Sequence, residues 1–457
     1  MVAQPARAKL LSPSRLARPP RPNRGWASFK PEIAIFAVAV VLRVALFVAV
    51  GAWNPARLEK SIFVGDARDY HHLGVNLAEH GVYSSKRHPP LTPNTFRVPL
   101  YPFYLSILYR LFGPQPHLAI LAQLALGALT CVLVCRLGTL LFDRRAGIAA
   151  GTILAVDYSA VLFSNRLYAD TLFTLLVVLG VLAVARFLAA DGRLRSLAAA
   201  GAVLGLATLC RPVSLYFVIA LAPVLWLAAG SKTGRAPGRR QRSAVTLAAC
   251  GVLFAAYLAA LSPWMLRNLA VEGRLYVTSM QTHVGTWYLP STVKMSLSLG
   301  HLAEDALRFG RGFVRYFAIL GSGEYPLILG IRYQRHDAVA LRDASLKGWI
   351  TATLRNRTTP LQRAIVGSIV VYLTALYLAA ARGLWIAARR GGAVAAALLV
   401  ATVVYFMIAT GPIAREVRYR LPALPSIVLL AGLGLTASRK AGQTSRSNDA
   451  SSSASAA

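Results

Sequence analysis

Acid is scarce in this chain, with 17 Asp and Glu against 50 Lys and Arg, yet Asp66 and Asp69 stand together in the run GDARDY. Asp66 and Tyr70 are four residues apart and share a face of any helix formed there, with Asp69 about one position aside. Singly, such acids fit solvated neighbours of lipid headgroups. As a pair in a basic surrounding they suit a general base, a divalent-metal ligand or an acceptor for a sugar hydroxyl. Two further aspartates, Asp157 and Asp170, fall in apolar runs. A charge at membrane depth costs roughly 2.5–3.5 kcal/mol on insertion scales and normally faces a cavity. Asp170 also suits the first turn of a helix, where it complements the dipole, and a neighbouring hydroxyl could satisfy Asp157.

The arginines make a matching set. Arg97, Arg211, Arg267, Arg418 and Arg420 lie at the ends of apolar runs or in the segments between them. Each alone could snorkel to a phospholipid phosphate. Together they point to a bound phosphate, because a guanidinium offers a fixed fork of donors that fits phosphate oxygens bidentately and stays charged. No P-loop or dinucleotide fingerprint accompanies them, so a nucleotide donor is not indicated. Cys131, Cys135, Cys210 and Cys250 sit in apolar segments without a CxxC spacing, which implies neither a disulfide framework nor a zinc site. Metal dependence is left open.

These residues need a membrane to position them. The hydrophobic fraction is 56% and the mean hydropathy +0.52, too apolar for a soluble chain of this length to cover. A span needs roughly 20 apolar residues, and ten such segments recur: 31–52, 117–142, 146–165, 167–189, 194–210, 213–230, 244–262, 363–382, 392–411 and 419–437. The net charge of +33 then reads as anionic phospholipid contact and loop charge, with no nucleic acid implied. Residues 1–30 read as a disordered basic arm and 438–457 as a disordered tail, leaving 31–437 as the membrane domain. With the N-terminus inside, the short inner connections hold Arg144 and Arg145, Arg193 and Arg195, Lys232 to Arg242, Arg382 to Arg390, and Arg439 with Lys440. Each is basic, as cytoplasmic loops are. Both ends are therefore expected in the cytoplasm, with 53–116 and 263–362 as the outer loops.

The first outer loop predicts two helices lying at the surface. One runs from Asp66 to about His80. The other runs from Pro99 to Phe112, with Tyr101, Tyr104 and Tyr109 as interfacial aromatics and Gly113 as its stop. The second outer loop predicts a partly helical cap, with His283, Trp287, Tyr288 and Lys294 as secondary candidates.

The order GDARDY, LAEHGVY, RVPLYPFYLSILYRLFG resembles the first outer loop of the C-type membrane glycosyltransferases (the GT-C fold), in the branch of protein O-mannosyltransferases and lipid A aminoarabinose transferases. RLYADTLF at 166–173, LATLCRP at 206–212, SPWMLRNLAVEGRLYV at 262–277 and RYRLPALPSIVLLAGLGL at 418–435 are similar to later motifs of that family, in its order. Asp170 stands where relatives more often have Glu. The resemblance implies an all-α polytopic fold and inverting transfer of a sugar from a polyprenyl-phosphate donor to a lipid, glycan or protein acceptor outside the membrane. In that picture Asp66 and Asp170 are catalytic, with Asp66 taking the acceptor proton. Asp69, Tyr70, Arg97, Tyr101, Asp157, Arg211, Arg267, Asn268, Arg418 and Arg420 bind substrate. The Arg- and Ala-rich composition suggests a bacterial plasma membrane. The rival expectation is a lipid or sugar-lipid flippase, which would show paired repeats or broken spans. A ligase moving a whole glycan from a diphosphate lipid would share the topology.

Overall fold

The structure is a computed structural model that describes residues 29–54, 65–189, 193–231, 239–279, 317, 360–410 and 417–437. The candidates His283, Trp287, Tyr288 and Lys294, both termini and most of the expected cap lie outside the described residues. The helices are α1 (Lys30–Val50), α2 (Asp66–Glu79), α3 (Leu100–Phe112), α4 (Pro116–Leu141), α5 (Arg144–Val156), α6 (Tyr158–Ser164), α7 (Asp170–Ala189), α8 (Leu194–Cys210), α9 (Phe217–Ala220), α10 (Ala222–Ser231), α11 (Arg239–Glu272), α12 (Pro360–Arg389), α13 (Ala393–Thr410) and α14 (Leu424–Thr436). Two 3-10 turns, Pro212–Ser214 and Val417–Arg420, precede α9 and α14.

This is an all-α, multi-pass membrane fold. Among the described residues seven helical segments are long and apolar enough to cross a bilayer, one of them Pro212–Gly230, assembled from a 3-10 turn, α9 and most of α10. The expected span at 146–165 is a pair, α5 and α6, bent by 55°. The bend falls at Asp157, whose extended backbone ends α5 and whose carboxylate caps α6 by accepting from the Ala160 N–H at 2.9 Å. α8 and α14 are shorter, at 17 and 13 residues. α11 runs past the expected end at 262 to Glu272, so Arg267 and Asn268 sit on a helix and not in a loop.

Packing follows from which faces are apolar. α8 lies along α11, α12 along α14, and α4 against α5 and α7. α7 is the most enclosed, with 78% of its apolar window buried, whereas Val41, Leu247, Val371 and Leu378 point outward as lipid-facing side chains do. α2 and α3 pack on each other outside the spans. α3 buries Tyr101, Leu105 and Tyr109 and exposes Phe103, Ile107 and Leu111, two stripes at four-residue spacing. Gly74 of α2 allows the approach, since a Cβ there would stand 2.9 Å from the Leu105 Cβ.

Candidate functional site

Asp66 is the first residue of α2, and Gly65 before it has φ +64°, a left-handed conformation that side-chain-bearing residues rarely adopt. The turn aims the Asp66 carboxylate at two arginines. Arg97 donates from Nη2 to Asp66 Oδ1 at 2.8 Å, and Arg418 donates from Nη1 to Asp66 Oδ2 at 2.7 Å. Arg97 also donates to Asp69 Oδ2, at 2.8 Å from Nη2 and 3.2 Å from Nε. The guanidinium carbons stand over aromatic faces, Arg97 at 5.4 Å from Tyr70 and Arg418 at 5.0 Å from Tyr168. Asp66 keeps 26% of its side chain exposed and Asp69 44%, so Asp66 is the more enclosed of the two acids.

Burial pushes the Asp66 carboxyl up, but the charges of Arg418 and Arg97, with the hydrogen bond from Arg418, outweigh it and hold the group down to about 2. Arg211 adds a smaller pull of the same sign. It follows α8 and pairs with Asp170, the buried first residue of α7. The structure thus brings together Asp66, Asp69, Tyr70, Arg97, Arg418, Arg211 and Asp170, from five separate stretches of chain. Burial also raises the Tyr70 hydroxyl to about 12, with Arg97 opposing. In the same helix burial, and then the charge of His72, push His71 down to about 4, so it is neutral at ordinary pH. Its Nδ1 lies 3.0 Å from the Tyr109 hydroxyl, tying α2 to α3.

The Arg97 loop is held from behind. Asn94 Oδ1 accepts the Arg97 N–H at 2.9 Å, and the Tyr83 hydroxyl donates to the carbonyls of Arg97 and Val98 at 3.1 and 2.9 Å. Arg267 belongs to this support. It donates to the Asn94 carbonyl at 2.8 Å and packs 4.7 Å over Trp264.

Other expected site residues face elsewhere. Asn268 is buried and donates to the Tyr276 and Val277 carbonyls at 3.1 and 3.3 Å, which occupies its amide with backbone. Tyr101 is buried, donating to Gln123 Oε1 at 2.9 Å. Asp157 accepts from the hydroxyls of Ser159 at 2.6 Å and Tyr372 at 2.8 Å. Arg420 donates to the hydroxyls of Tyr158 at 2.8 Å and Tyr377 at 3.0 Å and to the Phe317 carbonyl at 3.1 Å. These contacts form a second polar cluster that fixes the turn carrying Arg418, two residues away. The physical reason is burial: a polar group excluded from water must find a partner inside the protein. Sequence reasoning passed over Tyr168, beneath Arg418, although it lies in the run RLYADTLF. It also passed over Arg43, inside an apolar span. Among the described residues no three His, Cys, Asp or Glu side chains gather as a metal cluster, and all four cysteines are unbridged.

Residues 88–266 match the family described as dolichyl-phosphate-mannose-protein mannosyltransferase. No curated protein matches the chain by sequence search. Among solved structures, ArnT from Cupriavidus metallidurans in the apo state is similar at 17% identity and a TM-score of 0.50, over 90% of this chain and 61% of that one. ArnT bound to undecaprenyl phosphate is similar at 18% identity and 0.50, over 91% and 61%. The apo oligosaccharyltransferase of Archaeoglobus fulgidus is similar at 16% identity and 0.53, over 89% and 51%. The chain therefore has the GT-C fold, and it spans about three fifths of the length of ArnT.

Proposed function

We propose that a protein with this fold and this cluster of charges is an integral membrane glycosyltransferase, moving a sugar from a polyprenyl-phosphate donor to an acceptor hydroxyl on the outer face of a bacterial plasma membrane, with both termini cytoplasmic. The observation that carries the reading is Asp66 held between Arg97 and Arg418, with the Arg211–Asp170 pair beside it. Arginines around a partly exposed carboxylate, outside the spans, form a place where a lipid phosphate can compete for the cations. ArnT, similar in fold, has been solved with undecaprenyl phosphate bound.

Each residue then has a task. With Asp66 held to about 2 by its arginines, the carboxylate is ionised at ordinary pH but a weak base. A base works best near the operating pH. Donor phosphate drawn to Arg418 and Arg97 takes over part of their charge, releasing Asp66 and letting its proton affinity rise as the substrate arrives. The acceptor oxygen then gives its proton to Asp66 and forms a bond to the anomeric carbon, while the bond from that carbon to the phosphate oxygen breaks. The electron pair leaves on the phosphate, where Arg97, Arg418 and Arg211 stabilise it. One displacement inverts the anomeric centre. Asp170 keeps Arg211 in place, and Asp69 keeps Arg97. Asp66 and Asp69 are also the oxygen donors that a divalent cation would meet, supplying charge neutralisation for phosphate.

The break between α5 and α6 is a feature that a sugar-lipid flippase would also use. One experiment separates the two readings. Purified protein in proteoliposomes is given a labelled polyprenyl-phosphate sugar with candidate acceptors. Glycosylated acceptor and released polyprenyl phosphate are expected. Movement of the intact lipid between leaflets without transfer would overturn the enzyme reading.

A further inference from the structure

A cavity of about 30 Å³ is lined among others by Arg43, Thr130, Asp170, Thr171 and Thr174, so that Asp170 borders it. One water needs roughly 10–15 Å³ of such space and two to four polar partners. The cavity is thus large enough for about two waters, and its otherwise apolar wall, with Leu154, Phe163 and Leu421 in it, carries two polar atoms without partners, Arg43 Nε and the Thr174 hydroxyl, together with Asp170.

Arg43 is the unusual member of that wall. It is 1% exposed within the span α1, where a charge is expensive and marks function by default. Its Nη1 donates to the carbonyls of Ala39 at 3.0 Å and Ala155 at 3.3 Å, and its Nη2 lies 3.9 Å from the Cys131 sulfur. Among the described residues no carboxylate stands within ion-pair distance of it. Its Nε is buried without a hydrogen-bond partner, as is the Thr174 hydroxyl. Gly127 makes room for the guanidinium: a Cβ there would meet Arg43 Nε at 2.9 Å and the Thr171 methyl at 3.4 Å. Arg43 Nε therefore lies beside the first turn of α7, which begins with Asp170.

We propose that this cavity is a water site linking Arg43 to Asp170, and that Arg43 is a positioning residue for the Asp170–Arg211 pair. Asp170 then stands between two cations, Arg211 on the outer side and Arg43 on the inner. The inner cation draws on the carboxylate through water, so that Asp170 orients Arg211 without fully neutralising it. Arg211 keeps charge to offer a phosphate.

The choice of ligand for the test rests on the glycosyltransferase reading, so two measurements are paired. In the first, polyprenyl phosphate is titrated into purified wild type, Arg43→Met, Arg43→Lys and Thr174→Val in detergent, with thermal stability recorded for each. Arg43→Met is expected to weaken binding about tenfold, or roughly 1.4 kcal/mol, with Arg43→Lys recovering most of the loss because its ammonium reaches the same water. Thr174→Val keeps the shape, removes one water ligand and is expected to give a smaller weakening even if Arg43→Met does not fold. Wild-type affinity in folded Arg43→Met and Thr174→Val overturns the proposal. In the second, a high-resolution cryo-EM map of the wild type is expected to show water density between Arg43 Nε, the Thr174 hydroxyl and Asp170, and a dry cavity overturns the proposal whatever the lipid does. Wild-type protein that shows the water but binds no polyprenyl phosphate would refute the donor assignment and support the water link.

Discussion

Replacing Asp66 by Asn separates a chemical role from a structural one, because the two predict effects of different size. The substitution keeps the side chain's volume and an acceptor oxygen but removes the charge between Arg97 and Arg418. The folded carboxyl sits at about 2 against an ordinary 3.8. At about 1.36 kcal/mol per unit, the ionised form gains about 2 kcal/mol on folding. Because the folded value is depressed, that contribution is present above pH 4 and is lost as pH falls from about 4 towards 2. Asp66→Asn is therefore expected to lower stability by at most about 2 kcal/mol at neutral pH, with the gap to wild type closing only below pH 4. Removing a positioned base slows reaction by about a hundredfold to ten-thousandfold, equivalent to about 3–5 kcal/mol of barrier. The assay is sugar transfer from a polyprenyl-phosphate donor by detergent-purified protein, run beside thermal melts at pH 3 to 8. Asp69→Asn is the comparison. Among the described residues its carboxylate hydrogen-bonds to Arg97 alone, and it is 44% exposed, so its loss should be milder. A folded Asp66→Asn protein that transfers sugar within a few-fold of wild type would refute the base assignment. Equal severity for both variants would point to a shared metal.

Further expectations can be checked with similar material. Arg418→Gln should weaken polyprenyl phosphate binding by about 10- to 100-fold, the loss expected of a charge-assisted contact, whereas Arg390→Ala, at an exposed position after α12, should bind as wild type; equal loss in both would indicate general lipid adhesion. Tyr101→Phe should cost about 1 kcal/mol of stability, read by thermal melting, because Gln123 loses a buried partner, yet leave the transfer rate unchanged; a rate loss beyond tenfold would return Tyr101 to the substrate site. A reporter fused after Ala457 should be cytoplasmic and one inserted near Ser291 outside, and reporters found on one side would break the topology drawn from loop charge.

How far the sequence spoke depended on the kind of signal. Long apolar runs report helices directly, since lipid leaves the backbone no other partner, and the segments chosen by hydropathy are helical over most of their described length. The two helices between the first two spans were legible from amphipathic spacing, as α2 and α3 show. Breaks and extensions were not. Asp157 reads as one charge in an apolar run, but its side chain caps a new helix there, and hydropathy carries no record of a cap. The Asp66–Asp69 pair was visible because acid is rare. The partner that fixes its chemistry, Arg418, lies 352 residues further on, and no local pattern announces such a contact. Tyr101 and Asn268 were assigned to substrate from motif position, and the structure shows both turned to internal partners, a difference of side-chain direction that spacing does not encode. Arg43 passed unnoticed for the opposite reason, being hidden in the most ordinary-looking of segments.

The separation between Asp66 and Arg418 also has a consequence in time. At about 5–20 residues per second, a ribosome needs about 20–70 s to travel the 352 residues between them. Once the 31 residues that separate Asp66 from Arg97 have been made, the nascent chain has Arg97 available to Asp66 but not Arg418 for the rest of that interval. The pocket therefore stays half-built until the 3-10 turn before α14 has been made, and a chain that stalled or was cut before Val417 would enter the bilayer without the second cation for its carboxylate.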